Sequence, residues 1–147
     1  MSGDIRIQRE DFDIAEETAA LTKGGVAGAV ASFVGLVRGD DGLTAMTLEH
    51  YPGMTEREIA AHAAEARKRW PILSLRIVHR VGTLNPGDRI VFVGASAKHR
   101  KAAFEAVEFL MDYLKTRAPF WKEEEHTGNK RWVEAKAEDE TAVSRWR

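Results

Sequence analysis

The chain has 147 residues and a net charge of −1, so it is not a nucleic-acid-binding polycation, and it is long enough to bury one real core. It contains no cysteine, which excludes disulfides, thiolate metal sites and a thiol nucleophile from its own chemistry. The opening MSGDIRIQRED holds no apolar h-region, and no apolar run approaches the roughly 18–20 residues of a membrane span, so a cytoplasmic chain without membrane contact is expected.

Ile5 and Ile7 alternate with polar neighbours, as in a short first strand. Asp11 or Asp13 can cap a helix running to about Thr22, with Ile14, Ala15, Ala19 and Leu21 partly buried. Gly24, Gly25 and Gly28 break it. Ala27–Arg38 is rich in small and β-branched residues and reads as a buried strand; after the turn residues Gly39–Gly42, Leu43–Tyr51 reads as its hairpin partner. Thr55 with Glu58 forms a candidate capping box for a second helix, which faces the core with Ile59, Ala63 and Ala66 and closes at Trp70-Pro71. Leu73–Leu84 and Asp88–Ala97 read as two strands around the turn Asn85-Pro86-Gly87.

A long helix follows, with Ser96 as its expected N-cap and Phe104, Val107, Met111 and Leu114 as its apolar stripe. Pro119 stops it near Arg117. Phe120–Glu124 and Arg131–Ala135 then read as a last hairpin around Thr127-Gly128-Asn129. The tail from Lys136 is polar, with Trp146 near its end, and from about residue 137 it is open to motion. The order β-α-β-β-α-β-β-α-β-β, with strands in hairpin pairs, implies one α+β domain over 1–147, with a mainly antiparallel sheet and three helices.

Of the histidines, His50, His62, His79, His99 and His126, none forms an HxH or HExxH pattern, so no metal site is expected. His50 and His79 fall on predicted strands and read as satisfied structural residues. Glu123, Glu124 and Glu125 suggest acid–base chemistry, though a run of three is more often a solvated strand end. What remains is a set of cations at element ends: Arg38, His99, Arg100, Lys115 and Lys122. His99 and Arg100 lie in the first turn of the long helix, where free N–H groups and the dipole favour an anion. Basic groups beside apolar and aromatic residues suit a small anionic ligand with a flat ring.

Longer stretches carry a resemblance. FVGLVR (Phe33–Arg38), LEHYPGMTE (Leu48–Glu56), RWP (Arg69–Pro71), HRVGTLNPGDRIVFVG (His79–Gly94), His99-Arg100 with Ala103–Ala106, MDYLKTRAPFWK (Met111–Lys122) and RWVEA (Arg131–Ala135) together resemble the MoaE family, the large subunits of molybdopterin synthases. The resemblance spans nearly the whole chain and implies a hammerhead-like α+β fold. It implies an enzyme of molybdenum cofactor biosynthesis, a sulfurtransferase that inserts two sulfurs into cyclic pyranopterin monophosphate. The sulfur would arrive as a thiocarboxylate on the C-terminal glycine of a small ubiquitin-like (MoaD-like) subunit, so no cofactor is expected. The implied assembly is a homodimer of this chain within a heterotetramer.

By motif position, Lys115 and Lys122 would be catalytic, with Lys115 beside the incoming glycine. Arg38, His99 and Arg100 would hold phosphate and pterin. Phe33 and Met111 would line the pocket, and Val37, Glu123 and Glu124 are added as substrate contacts. Relatives often have a lysine where this chain has Leu36, and a basic residue at the place of Lys136. Two competing readings are a non-catalytic pterin-binding or scaffold subunit and an RNA-binding module. The intact cation set argues against the first; the interleaved Glu105, Glu108 and Asp112 argue against the second.

Overall fold

The computed structural model describes residues 4–127, 129–133 and 137–146. The described elements are β1 (Ile5–Gln8), α1 (Ile14–Leu21), β2 (Ala29–Leu36), β3 (Leu43–His50), α2 (Met54–Arg69), β4 (Ile72–Arg80), β5 (Gly82–Leu84), β6 (Arg89–Ala97), α3 (Arg100–Thr116), β7 (Phe120–His126), β8 (Asn129–Val133) and α4 (Ala137–Ser144). They form two four-stranded sheets, in the orders β1-β4-β6-β2 and β5-β3-β7-β8. Every pairing is antiparallel except β1 with β4. The class is α+β, as the hairpin-rich order predicts, with four described helices where three were expected.

Strand β6 is the centre of the first sheet, and both its faces are covered. Val91, Val93, Ala95 and Ala97 pack with Ile59, Ala63 and Ala66 of α2 and with Ala103, Ala106 and Leu110 of α3. Phe92 points the other way, into a cluster with Phe12, Leu21 and Val78. A strand apolar on both faces shows no alternation, which is why its sequence reads as a continuous run. Gly94 permits the close approach of α1: a Cβ there would stand 2.5 Å from Leu21 Cδ1. The second sheet has a smaller core of Val37, Leu43, Met46, Leu48 and Leu84.

The expected β2–β3 hairpin does not form. The two strands are consecutive but lie in different sheets, β2 on β6 and β3 on β5 and β7. After a register shift at Gly35–Leu36, Val37 bonds the β5–β6 turn instead, its N–H to the Asp88 carbonyl and its carbonyl to the Gly87 N–H. The expected strand Leu73–Leu84 is likewise divided. Gly82, at φ 93, turns the chain so that β4 stays with β6 while β5 crosses to β3. That φ lies in the left-handed region open to glycine.

Helix boundaries differ in instructive ways. Asp13 caps α1 through the Glu16 N–H at 3.0 Å. In α1, Ala15 and Ala19 are exposed and Glu17 is buried, clamped by Arg6 and Arg76. The capping box of α2 is not Thr55–Glu58. The N-cap is Gly53, whose N–H donates to the Glu56 carboxylate, while the buried Thr55 hydroxyl ties the helix start to the Pro119 carbonyl. Ser96 does not cap α3; it lies in β6, fully buried and 2.6 Å from the Ser74 hydroxyl, and the N-cap is His99. Phe104 stands 63% exposed, so the buried stripe of α3 is Ala103, Ala106, Val107, Leu110 and Leu114. The polar tail forms α4, which docks on α3 through buried Val143. Trp146, just beyond it, packs against Trp70 and Phe109. Lys136 and the end of the expected strand at Glu134-Ala135 lie outside the described residues.

Candidate functional site

A cavity of about 350 Å³ opens beside the last turns of α3. Its walls include Phe33 and Leu36 of β2, His79 of β4, Ile90 of β6, and Met111 and Lys115 of α3. The construction follows from local geometry. Met111 and Lys115 are four apart, so they share one helix face. Thr116 and Arg117 end the helix, and Pro119 turns the chain into β7. Phe120, the first residue of β7, stacks on His79 with ring centroids 3.9 Å apart. The cavity is therefore mostly apolar and aromatic, with one ammonium and one imidazole.

Lys122 shares the face of β7 that carries Phe120, since side chains on a strand alternate. It is half-buried and lies 3.9 Å from Glu124. Glu124 also meets His126 at 2.8 Å and Arg131 at 3.9 Å. One carboxylate thus serves three cationic side chains. The Glu124 hydrogen bond, joined by the Asp41 carbonyl, raises the His126 pKa. A carboxylate so placed orients Lys122; it has no attraction for a phosphate. Glu123 lies on the other face of β7, opposite Trp132 in register, and is not brought to the cavity.

Four more predicted residues stand apart. Val37 is 2% exposed inside the core of the second sheet, so its side chain is packing and not a ligand contact. Arg38 follows two residues after Leu36, with its guanidinium exposed and 3.0 Å from Asp40. An exposed pair of this kind contributes at most about 1 kcal/mol, so Arg38 can reorient toward an anion. His99 and Arg100 are exposed at the opposite end of α3, sixteen positions from Lys115 in the case of His99. The helix is unbroken between them, a span of roughly 24 Å.

The structure therefore brings together Phe33, Met111 and Lys115, keeps Lys122 on the adjoining strand face, and separates His99 and Arg100. It adds His79, which reads from sequence as an ordinary strand histidine. The available signal was its place in a strand whose neighbours are apolar. Burial pushes the His79 pKa down to about 4; the Arg80 carbonyl opposes this, and the charges of Lys115 and His50 reinforce it. Among the described residues, no group of three His, Asp or Glu side chains is placed to hold a metal ion.

Comparison with known proteins gives the family. The model of the family described as MoaE protein matches residues 7–117. The chain is 56% identical to the molybdopterin synthase catalytic subunit of Mesorhizobium japonicum, over 97% of this chain and 92% of that one. It is 51% identical to the protein of the same name from Escherichia coli, over 97% of each. The crystallised molybdopterin biosynthesis MoaE protein of Burkholderia ambifaria superposes with a TM-score of 0.85 at 53% identity, covering 99% of this chain and 98% of that one. With the family match extending over most of its length and the fold reproduced, the chain belongs to the MoaE family.

Proposed function

We propose that the chain is the catalytic subunit of a molybdopterin synthase, acting as a sulfurtransferase on cyclic pyranopterin monophosphate. The observation that carries this reading is Lys115, within the family's MDYLKTRAPFWK stretch, lining a cavity beside Phe33, Met111 and His79. Relatives named catalytic subunits imply a second kind of chain. The partner proposed here is a small ubiquitin-like subunit whose C-terminal glycine thiocarboxylate enters the cavity as an extended tail. Its sulfur bonds to a side-chain carbon of the pterin and displaces an oxygen there. Water cleaves the resulting thioester, so that the glycine leaves as a carboxylate and the sulfur stays on the pterin, and two such events supply the sulfurs of the dithiolene.

Lys115 meets the incoming thiocarboxylate, and Lys122 supplies a second positive group from β7. Phe33 and Met111 sandwich the flat substrate. Arg38, His99 and Arg100 hold its phosphate. Because one unbroken α3 separates His99 and Arg100 from Lys115, a single copy cannot place all of them on one pterin. A two-fold pair of chains can, by setting one copy's helix start beside the other's helix end. Each site then combines Arg38, Lys115 and Lys122 of one copy with His99 and Arg100 of the other. The deciding experiment mixes the purified chain with thiocarboxylated small subunit and the cyclic precursor and assays dithiolene. Product formation is expected. Its absence, with partner binding intact, overturns the assignment.

A further inference from the structure

Of the two polar side chains among the described residues lining the cavity, Lys115 has a proposed role and His79 has none. Its ring is held from two sides. Phe120 stacks on one face at 3.9 Å, and Nδ1 lies 2.9 Å from the Arg80 carbonyl oxygen. A carbonyl oxygen can only accept, so Nδ1 carries the proton and donates. In a neutral imidazole that leaves Nε2 with the lone pair. Burial favours this neutral form, since it holds the pKa near 4. The ring lines the same cavity as Lys115, whose charge acts on it. The other ionisable group acting on it is His50, itself 3.6 Å from Glu56.

We propose that His79 is a positioning residue: its Nε2, fixed as a hydrogen-bond acceptor by the Arg80 carbonyl, orients the Lys115 ammonium within the cavity. Lys115 has four side-chain torsions and stands at the end of a helix. Without a fixed acceptor it would sample several rotamers, and few of these would direct Nζ to the reacting atom. An uncharged acceptor suits this task better than a carboxylate, because it aims the lysine without repelling an incoming thiocarboxylate or phosphate. The role rests on the synthase reading above, but the state of the ring does not.

Two variants separate orientation from packing. His79→Gln places an amide oxygen near the position of Nε2 and restores the acceptor. His79→Asn reproduces the Nδ1 donor to Arg80 but leaves nothing at Nε2. With both folded by thermal melt, His79→Asn should lower kcat about tenfold to a hundredfold with little change in KM, and His79→Gln should recover most of that loss. Equal impairment of the two, or wild-type kcat in His79→Asn, overturns the proposal. Nitrogen-15 NMR of the resting chain provides a readout that needs no turnover. It should find His79 protonated at Nδ1 and bare at Nε2 at neutral pH, with the Nε2 resonance moving in Lys115→Ala. A proton on Nε2, or no response to Lys115→Ala, overturns the proposal even if the enzyme is active. If the wild-type chain makes no product while the NMR result holds, the synthase reading fails and the orienting contact between His79 and Lys115 stands.

Discussion

The two ends of α3 are built by opposite rules. The Lys115 end is walled, although Lys115 itself is exposed: β2, β4 and β6 line the cavity beside it, Phe120 backs His79, and α4 packs along the same helix. The His99 end is open. Lys98, His99, Arg100 and Lys101 are exposed, His99 makes no side-chain cap bond, and Phe104 stands 63% exposed one turn on. The first turn of α3 holds no acidic residue, whereas α1 has Glu16 and Glu17 in its first turn. Basic groups at a helix start oppose the dipole by about 0.3–1 kcal/mol each. They are not there to stabilise the helix. The enclosed end is built by this chain alone; the open end is the one proposed above to be completed by an anion and a second copy.

The comparison breaks most sharply at Lys115. Lys115→Ala should abolish dithiolene formation while the melting temperature and small-subunit binding persist, because an exposed lysine in the last turn contributes at most about 1 kcal/mol. Lys122→Ala should lose most, but not all, turnover. A well-folded, fully active Lys115→Ala would sink the role assigned to the enclosed end. A complementation assay tests whether the open end belongs to a neighbour's site. Lys115→Ala and Arg100→Ala, each inactive alone, should together return to about a quarter of wild-type activity under random exchange, since half the pairs are mixed and each mixed pair has one intact site. Confirmed subunit exchange by mass spectrometry without recovered activity would show that the sites are not shared.

Stability should divide the same way. Trp146→Ala removes an indole packed on Trp70 and Phe109 and bonded to Asp112 at 2.6 Å. Because that indole is only half-buried, the loss should be about 2 kcal/mol, a fall in melting temperature of several degrees by calorimetry. Acid should also act on the enclosed end. His79 is held near pKa 4, below the ordinary histidine value of about 6.5, so the unfolded chain binds more protons between those values. Stability is therefore full above about 6.5 and declines as pH falls toward 4. Urea midpoints across that range should fall less steeply in His79→Gln; His62, also lowered by burial, leaves a residual slope. Phe104→Ser at the open end should change the unfolding free energy of the isolated chain by no more than about 0.5 kcal/mol.

Much of this was legible in the residues, and the failures have common causes. The ends of α3 and α2 follow from Pro119 and Trp70-Pro71, and the β7–β8 hairpin from its turn residues. The MDYLKTRAPFWK stretch identified Lys115 and Met111, which do line one cavity. What local pattern could not supply was sheet membership. Val37 and Gly82 sit where the chain leaves one sheet for the other, and nothing in a strand-turn-strand sequence says whether its strands pair with each other. Hence Val37 reads as a ligand contact where it is core, and His79, two residues before the buried Val81, reads as a satisfied structural strand residue where it also walls the cavity. Helix α4 is not legible in the sequence because its apolar face is short: Val143 is its buried residue amid acidic neighbours, and Trp146 follows just beyond it.

The position of Phe120 and Trp146 in the chain has a consequence for synthesis on the ribosome. Lys115 emerges before the residues that complete its surroundings: Phe120, which backs His79, and Trp146, which braces α3 through Asp112. About thirty residues separate Lys115 from Trp146, roughly two to six seconds of translation at 5–20 residues per second. Throughout that interval the first sheet can assemble from β1, β2, β4 and β6, all of which precede Lys115. The nascent chain thus holds a folded floor with an unfinished wall, and the surroundings of Lys115 are complete only after Phe120 and Trp146 have followed.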